Sequence, residues 1–149
     1  MDDKYDVLKL ENQLCFPLYV CAKEIVRAYT PYLEELGITY TQYITMMVMW
    51  EYKELRVKEI GEHLYLDSGT LTAVLKKLEE KGFVTRKRSD KDERGLVVTV
   101  TEKGEELKDK AVDIPGKMSG CAALDPQKAK ELYALLYEVI GKLTKPGHA

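Results

Sequence analysis

The residues best able to carry out chemistry are three cysteines. Cys15 and Cys21 lie in the apolar, helix-forming stretch LENQLCFPLYVCAKE, and Cys121 lies in SGCAALDP. An odd number of cysteines in a chain without a secretory signal makes a structural disulfide framework improbable and predicts free thiols. On a helix, six residues separate Cys15 from Cys21 by about 9 Å, more than the roughly 7 Å between Cα atoms that a disulfide tolerates. We therefore interpret Cys21 as structural, unless a distortion of the helix at Pro17 brings it closer to Cys15.

Cys15 is the candidate for a reactive thiol. Pro17 cannot donate a hydrogen bond inside a helix, so the regular helix should begin close to Phe16 and leave Cys15 at its N-terminus. Unpaired N–H groups and the helix dipole favour an anion there, and the thiolate is the form that attacks a peroxide. The alternative is that Cys15 is a small buried apolar residue, which is the commoner fate of a single cysteine.

Composition sets the remaining limits. With 149 residues the chain is long enough for one domain, and its net charge of -2 indicates neither a nucleic acid nor an acidic partner. The acidic start MDDKYDVLKL and the lack of a long apolar run predict a soluble, cytoplasmic protein without a membrane span. His63 and His148 are the two histidines, and the sequence contains neither C-x-x-C nor H-x-x-x-H, so we expect no metal and no cofactor.

The first third of the chain predicts two helices. Apolar residues at helical spacing run from Leu14 to Leu36, and Gly37 follows as a C-terminal stop. Thr39 or Thr41 can cap a second helix through QYITMMVMWEYKE, whose methionines and aromatic residues predict that it is mostly buried.

The middle of the chain has the pattern of a helix-turn-helix. Apolar residues at helical spacing predict a short amphipathic helix from Val57 to Leu64. Asp67 is a good N-cap for a second helix that ends at Lys81 and Gly82. Any small helical hairpin could give this pattern. If the motif binds DNA, residues at the start and on the outer face of the second helix should contact base edges or phosphates: Ser68, Thr70, Thr72 and Lys76. Lys77, Arg86 and Lys87 should contact the DNA backbone.

A β-hairpin should follow the second helix. Two β-branched runs, 83–88 and 96–101, flank a polar turn that includes Gly95. The segment from Lys76 to Arg94 has eight positive and five negative side chains, a net charge of +3, against -5 for the rest of the chain. A basic hairpin after a recognition helix is typical of a winged helix, although mixed charges can also simply solvate a surface hairpin.

The end of the chain predicts a dimerisation helix. The helical stretch that follows the hairpin should be broken at Pro115, Gly116 and Gly120, and Asp125 and Pro126 can start a last helix. This helix has an apolar stripe with no obvious partner in a small winged helix: Leu132, Leu135, Leu136, Val139, Ile140 and Leu143. We predict a mainly α fold with a small β-wing, in which residues 38–104 form the winged helix-turn-helix and residues 1–37 and 105–149 form the dimerisation region. A two-fold dimer would bind a pseudo-palindromic operator.

This order of elements, with LTAVLKKLEEKGFVTRKRSDKDERGLVVTVTEKG at its centre, resembles the MarR family of winged-helix regulators over nearly the whole chain. Asp92 and Arg94 match the D-x-R pattern of the family's wing. The segment from Leu10 to Glu51 is similar to OhrR-type members, which are repressors that sense organic hydroperoxides through a cysteine near the amino terminus. By this resemblance, the chain is not an enzyme, and it releases double-stranded operator DNA when Cys15 is oxidised.

The resemblance also implies individual roles. Cys15 corresponds to the sensing cysteine, and Tyr29 and Tyr40 to the tyrosines that hydrogen-bond its thiolate from the other subunit of a homodimer. Arg94 corresponds to a wing arginine that enters the minor groove. Cys121 stands where a resolving cysteine would be, although its Gly-flanked segment could equally be a linker with an incidental thiol. The hypothesis adds an apolar pocket for the hydroperoxide, formed by Phe16, Met46, Met47 and Trp50.

Two other functions compete with this hypothesis. A MarR-type repressor could instead bind a phenolic or carboxylate ligand reversibly, with the cysteines incidental. A thiol peroxidase centred on Cys15 would leave the basic winged helix unexplained.

Overall fold

The computed structural model describes residues 3–89, 92–120 and 123–144. Two short 3-10 turns precede seven α-helices and three β-strands in this part of the chain. The helices are α1 (Cys15–Leu36), α2 (Tyr40–Tyr52), α3 (Val57–Leu64), α4 (Ser68–Glu80), α5 (Glu102–Ala111), α6 (Ile114–Met118) and α7 (Pro126–Leu143), and the strands are β1 (Glu54–Arg56), β2 (Val84–Ser89) and β3 (Asp92–Val100). The predicted fold, mainly helical with a small wing, is confirmed.

Helix α1 begins and ends where the sequence predicts. Its first residue is Cys15, and Pro17 lies in the first turn, where its missing N–H has no intrahelical acceptor to lose. Gly37 adopts a left-handed φ of 70° and donates to the Glu34 carbonyl, while the Ile38 N–H donates to the Leu33 carbonyl. This pairing satisfies the last carbonyls of the helix and turns the chain sharply into α2.

Helix α2 forms the centre of the core. Thr39 caps it with a capping box, in which the Gln42 N–H donates to Thr39 Oγ1 (3.3 Å) and Gln42 Oε1 accepts from the Thr39 N–H (3.1 Å). Met46 and Met49 are fully buried, as the apolar composition of the segment predicts. The indole N–H of Trp50, also buried, donates to the Gly104 carbonyl at the start of α5 (2.8 Å).

The helix-turn-helix and its wing are confirmed as α3, α4 and an antiparallel β2–β3 hairpin. Strand β1, which the sequence did not reveal, pairs with the far side of β3, so that the sheet order is β1-β3-β2. Three residues are too short for an alternating pattern to be visible, and this strand depends on β3 for its hydrogen bonds.

The predicted break at Pro115 and Gly116 is wrong by a few residues. The chain leaves the helix after Ala111, and both residues lie within the short helix α6. Proline is tolerated there because it occupies the first turn, where its N–H would have no intrahelical partner.

The chain forms two compact units, Met1–Gly116 and Lys117–Ala149. Within α1, which the structure describes completely, Leu33 is the only buried residue, and the described helix α7 has none. The apolar residues exposed on these two helices include Leu18, Ile25, Val26, Leu132, Leu135, Val139 and Leu143. Among the described residues, no helix is both long and apolar enough to cross a membrane.

We predict that Gly104→Ala unfolds the protein more easily by at least about 2 kcal/mol, because overpacking costs this much where neighbours cannot move. A Cβ at Gly104 would lie 2.3 Å from the Phe83 carbonyl oxygen and 2.7 Å from Val100 Cγ2. Urea unfolding followed by circular dichroism measures the change. Gly116→Ala is the control, since its Cβ meets no atom within 4 Å; equal midpoints for the two variants would contradict the prediction.

Candidate functional site

The outer face of α4 carries the residues predicted to contact DNA. Ser68, Thr70, Thr72, Lys76 and Lys77 are all exposed, whereas the opposite face of the helix is buried through Leu71, Leu75 and Leu78. The helix is therefore fixed by its apolar side and presents hydroxyl and ammonium groups to solvent. Such groups, on the second helix of a helix-turn-helix, suit contacts with base edges and phosphates.

Hydrogen bonds order the start of α4. Asp67 accepts from the Thr70 N–H (2.8 Å) and from Thr70 Oγ1 (3.1 Å), and these bonds hold the pKa of the Asp67 carboxyl below its ordinary value. Thr72 Oγ1 donates to the Ser68 carbonyl (2.6 Å). Both threonine hydroxyls thus have their protons engaged within the protein and can act toward DNA as acceptors.

The two basic hairpin residues predicted to contact the DNA backbone differ in accessibility. Lys87 is exposed, whereas the Arg86 side chain is only 20% exposed and its guanidinium donates to Glu79 Oε1 on α4 (3.1 Å). The Arg86 N–H donates to the second oxygen of the same carboxylate (3.1 Å). The Arg86 guanidinium lowers the pKa of Glu79. Arg86 therefore joins the wing to the recognition helix, a role that depends on a tertiary contact and that the sequence analysis missed.

Asp92 lies at the start of β3, and Arg94 lies two residues along the same strand. The side chains of both residues are outside the described part of the structure, as is the whole of Cys121. Their predicted roles stay predictions.

Three tyrosines meet where α1 packs against α2. The ring centroid of Tyr29 lies 5.0 Å from that of Tyr40 and 5.7 Å from that of Tyr43, and the Tyr40 and Tyr43 centroids are 6.3 Å apart. Burial raises the pKa of Tyr40, and burial together with Tyr29 and Tyr40 raises the pKa of Tyr43. Tyr40 and Tyr43 therefore keep their protons at neutral pH and can donate hydrogen bonds. Tyr29 and Tyr40 were predicted to belong to the site, whereas Tyr43 was not.

Cys15 is exposed on the first turn of α1. Fourteen helical residues separate it from Tyr29, which corresponds to about 21 Å along the axis at 1.5 Å per residue. A hydrogen bond between Cys15 and Tyr29 of one chain is therefore excluded while α1 is intact. Cys21 is also exposed, and because α1 runs unbroken through Pro17 the expected separation of the two thiols holds.

The expected apolar pocket is only partly present in the described chain. A cleft of about 370 Å³ lies between α2 and α5, and its walls are Tyr43, Met47, Trp50, Glu51, Lys108, Ala111, Val112 and Pro115. Met47 and Trp50 were predicted to line a pocket and do so. Met46 is instead fully buried in the core, and Phe16 lies on α1 beside Lys9, Leu10 and Glu11. The four residues do not form one pocket within the chain, because Met46 is covered by the core and Phe16 lies on a different helix.

Comparison with known proteins identifies the family. Residues 27–111 match the family model described as transcriptional regulator SarA/Rot. The organic hydroperoxide resistance transcriptional regulator of Bacillus subtilis is 48% identical over 96% of this chain and 97% of its own length. The chain belongs to the MarR family. It is a winged-helix transcriptional regulator of the organic hydroperoxide resistance type.

Solved MarR-type structures have the same fold. Reduced AbfR of Staphylococcus epidermidis bound to DNA is 33% identical, with a TM-score of 0.78 over 96% of this chain and all of AbfR. A disulfide form of AbfR is 34% identical, with a TM-score of 0.60 over 94% of this chain and 93% of AbfR. A MarR family regulator from Streptomyces coelicolor in complex with DNA shares the fold at 21% identity, with a TM-score of 0.82 over 93% of this chain and 94% of its own.

We predict that the contact between Glu79 and Arg86 makes stability depend on acid pH. Because the pKa of Glu79 is lowered on folding, its stabilising effect is complete above the ordinary value of 4.5 and is lost as the pH falls through the lowered pKa. Denaturant unfolding at several pH values should therefore show Glu79→Gln less stable than wild type near neutrality, with the difference shrinking in acid. Glu80→Gln is the matched control, because Glu80 is exposed and its ion pair with Lys77 (3.6 Å) is solvated and therefore weak. A difference between wild type and Glu79→Gln that stays constant with pH would contradict the prediction.

Proposed function

We propose that the protein is a dimeric repressor that binds a pseudo-palindromic operator and releases it when an organic hydroperoxide oxidises Cys15. The observation that carries the proposal is an exposed thiol at the start of α1 in a chain whose α4 presents a polar face beside a basic hairpin. The similarity to the Bacillus subtilis organic hydroperoxide resistance regulator supports the inducer class. The DNA-bound form of reduced AbfR supports reduced protein as the binding state.

The proposed reaction needs two thiols and no other cofactor. The Cys15 thiolate attacks the peroxide oxygen of ROOH, the O–O bond breaks, and after proton uptake the products are Cys15 sulfenic acid and the alcohol ROH. The thiol of Cys121 then attacks the sulfenic sulfur, forming a disulfide and releasing water. The disulfide form of AbfR supports this second step, and thiol reductants would reverse it.

A second copy of the chain completes the site. Tyr29 cannot reach Cys15 of its own chain, so the phenols that would stabilise the thiolate must come from the partner. Exposed apolar residues along α1 and α7 provide the surface for that partner, because a monomer would leave them in water. Burial raises the pKa of Tyr40 further above neutral pH, so its phenol is protonated and can donate to a thiolate.

The DNA contacts follow from the exposed groups. Helix α4 would enter the major groove with Ser68, Thr70, Thr72 and Lys76, while Lys77 and Lys87 neutralise phosphates. The hairpin would reach the adjacent minor groove with Arg94, supported by Asp92. Because both recognition helices depend on one dimer, a shift of a few ångströms after oxidation would misplace the half-sites and release DNA.

A reversible ligand remains the second candidate, favoured by the apolar cleft that Met47, Trp50 and Val112 line and to which Lys108 and Glu51 contribute the charged groups. A cation beside apolar walls suits a phenolic or carboxylate compound. In that case the ligand would relieve repression in a Cys15→Ser variant. Sustained peroxide consumption with a thiol donor would instead support a thiol peroxidase.

We predict that Cys15→Ser abolishes the response to hydroperoxide without weakening DNA binding. Wild type, Cys15→Ser, Cys121→Ser and Cys21→Ser receive one equivalent of cumene hydroperoxide, and each is assayed on non-reducing gels and for binding to a duplex selected from a randomised library by the reduced protein. Wild type should form a crosslinked dimer and lose DNA. The crosslink should need both Cys15 and Cys121, and Cys21→Ser should behave as wild type. Loss of DNA binding by oxidised Cys15→Ser would refute the sensing role.

We predict that Arg94→Ala weakens binding to the selected duplex by about 5- to 100-fold, because the minor groove is narrow in A·T-rich DNA and attracts arginine strongly. Fluorescence anisotropy at several salt concentrations measures the affinity and its salt slope. Lys110→Ala, which removes an exposed charge from α5 outside the proposed interface, is the control. Equal affinities for the two variants would exclude the minor-groove role.

A further inference from the structure

Lys81 joins the end of the recognition helix to the corner between α1 and α2. Its ammonium group donates to the Gly37 carbonyl (2.6 Å) and to Gln42 Oε1 (2.8 Å). Gly37 is the C-cap of α1, and Gln42 belongs to the capping box of α2. One side chain thus binds both helices at the point where the chain turns from one to the other, and charge-assisted bonds of this kind are stronger than neutral ones.

This corner holds the tyrosines of the proposed thiol site. Tyr40 is the first residue of α2 and lies between Thr39 and Gln42, the two members of the capping box. Its ring packs on Tyr29 of α1. A change at the thiolate that shifts the backbone of Tyr40 therefore shifts the first turn of α2, which contains Gln42, one of the two acceptors of Lys81.

On its other side, Lys81 belongs to the DNA-binding element. It caps α4, with its N–H donating to the Lys77 carbonyl (3.1 Å). Its own carbonyl accepts from the Lys103 ammonium (2.8 Å), which ties it to α5. The backbone of Lys81 is thus joined to α4, and its side chain is hydrogen-bonded to the α1–α2 corner.

The same contacts argue against a role for Lys81 in binding DNA directly. Lys81 is half-buried, whereas Lys76 and Lys77 on the same helix are exposed. Two hydrogen bonds aim its ammonium at the helix corner, and a lysine that contacts phosphate would have to give them up.

We propose that Lys81 is a positioning residue that transmits the state of the tyrosine site to the recognition helix. This inference rests on the proposed function. In the reduced protein, Tyr29 and Tyr40 hold the corner in one arrangement, and the Lys81 side chain joins that corner to α4 without displacing the helix, which its buried leucines already position. When oxidation changes the hydrogen bonding of the tyrosines, the corner moves and pulls α4 through the Lys81 side chain.

The experiment measures the ratio of duplex affinities in the reduced and oxidised states. Full-length wild type, Lys81→Met, Lys81→Arg and Lys77→Met are titrated against the duplex selected by reduced wild type, before and after one equivalent of cumene hydroperoxide. Lys81→Met keeps the alkyl stem and removes both hydrogen bonds. When reduced, it should bind DNA as wild type does. The factor by which oxidation weakens its DNA binding should be about 3- to 30-fold smaller than in wild type, which is the range in which single residues alter coupling between sites.

Two variants separate coupling from structure and charge. Lys81→Arg can donate to the same two oxygens and should restore the response. Lys77→Met removes a charge from the exposed face of α4 and should weaken both states alike, leaving the ratio unchanged. If Lys81→Met does not fold, as judged by thermal unfolding, Lys81→Gln, which retains one donor group, takes its place.

The failures are distinguishable. If oxidised wild type keeps its DNA, the proposed function fails. If wild type releases DNA and the Lys81 variant releases it by the same factor, or loses affinity equally in both states, the function stands and Lys81 does not couple the sites.

Discussion

The contact between α2 and the start of α5 is the constraint on which the other elements depend. The Trp50 indole N–H binds the Gly104 carbonyl, and Gly104 has no side chain, so α5 lies directly against the Phe83 carbonyl and the Val100 side chain. A buried indole must find an acceptor, and this one lies on the helix that follows the wing. Helix α2 and the β2–β3 hairpin are thereby fixed to the same piece of backbone.

The recognition helix is attached to this core at several points. Its buried leucines pack against the core, Glu79 forms an ion pair with Arg86 of the wing, and Lys81 donates a hydrogen bond to the corner between α1 and α2. These contacts involve both side chains and backbone of the same short segments, and they fix α4 to the wing. The exposed hydroxyl and ammonium groups keep a constant spacing, which is the property that operator recognition requires.

The proposed redox site would follow a different principle, since no single chain would contain it. Helix α1 carries a thiol at one end and a tyrosine about 21 Å further along, and its rigidity keeps them apart. A second copy of the chain could cover the apolar residues exposed on α1 and on α7, and in the proposed dimer it would bring its own tyrosines to the thiol. Dimer formation and sensing would then be the same structural event, and operator symmetry would follow from it.

The sequence by itself determined the elements whose signals are local. The left-handed Gly37, the caps at Thr39 and Asp67, the periodicity of α4 and the hairpin follow from short-range chemistry, and so does Cys15 at a helix start. Only the tertiary structure decided that Arg86 pairs with Glu79, that Met46 faces the core, that Tyr43 joins the tyrosine cluster and that β1 forms on β3. These outcomes depend on which surfaces meet after folding. The spacing of residues along the chain does not reveal which distant residues a side chain will contact in the folded protein.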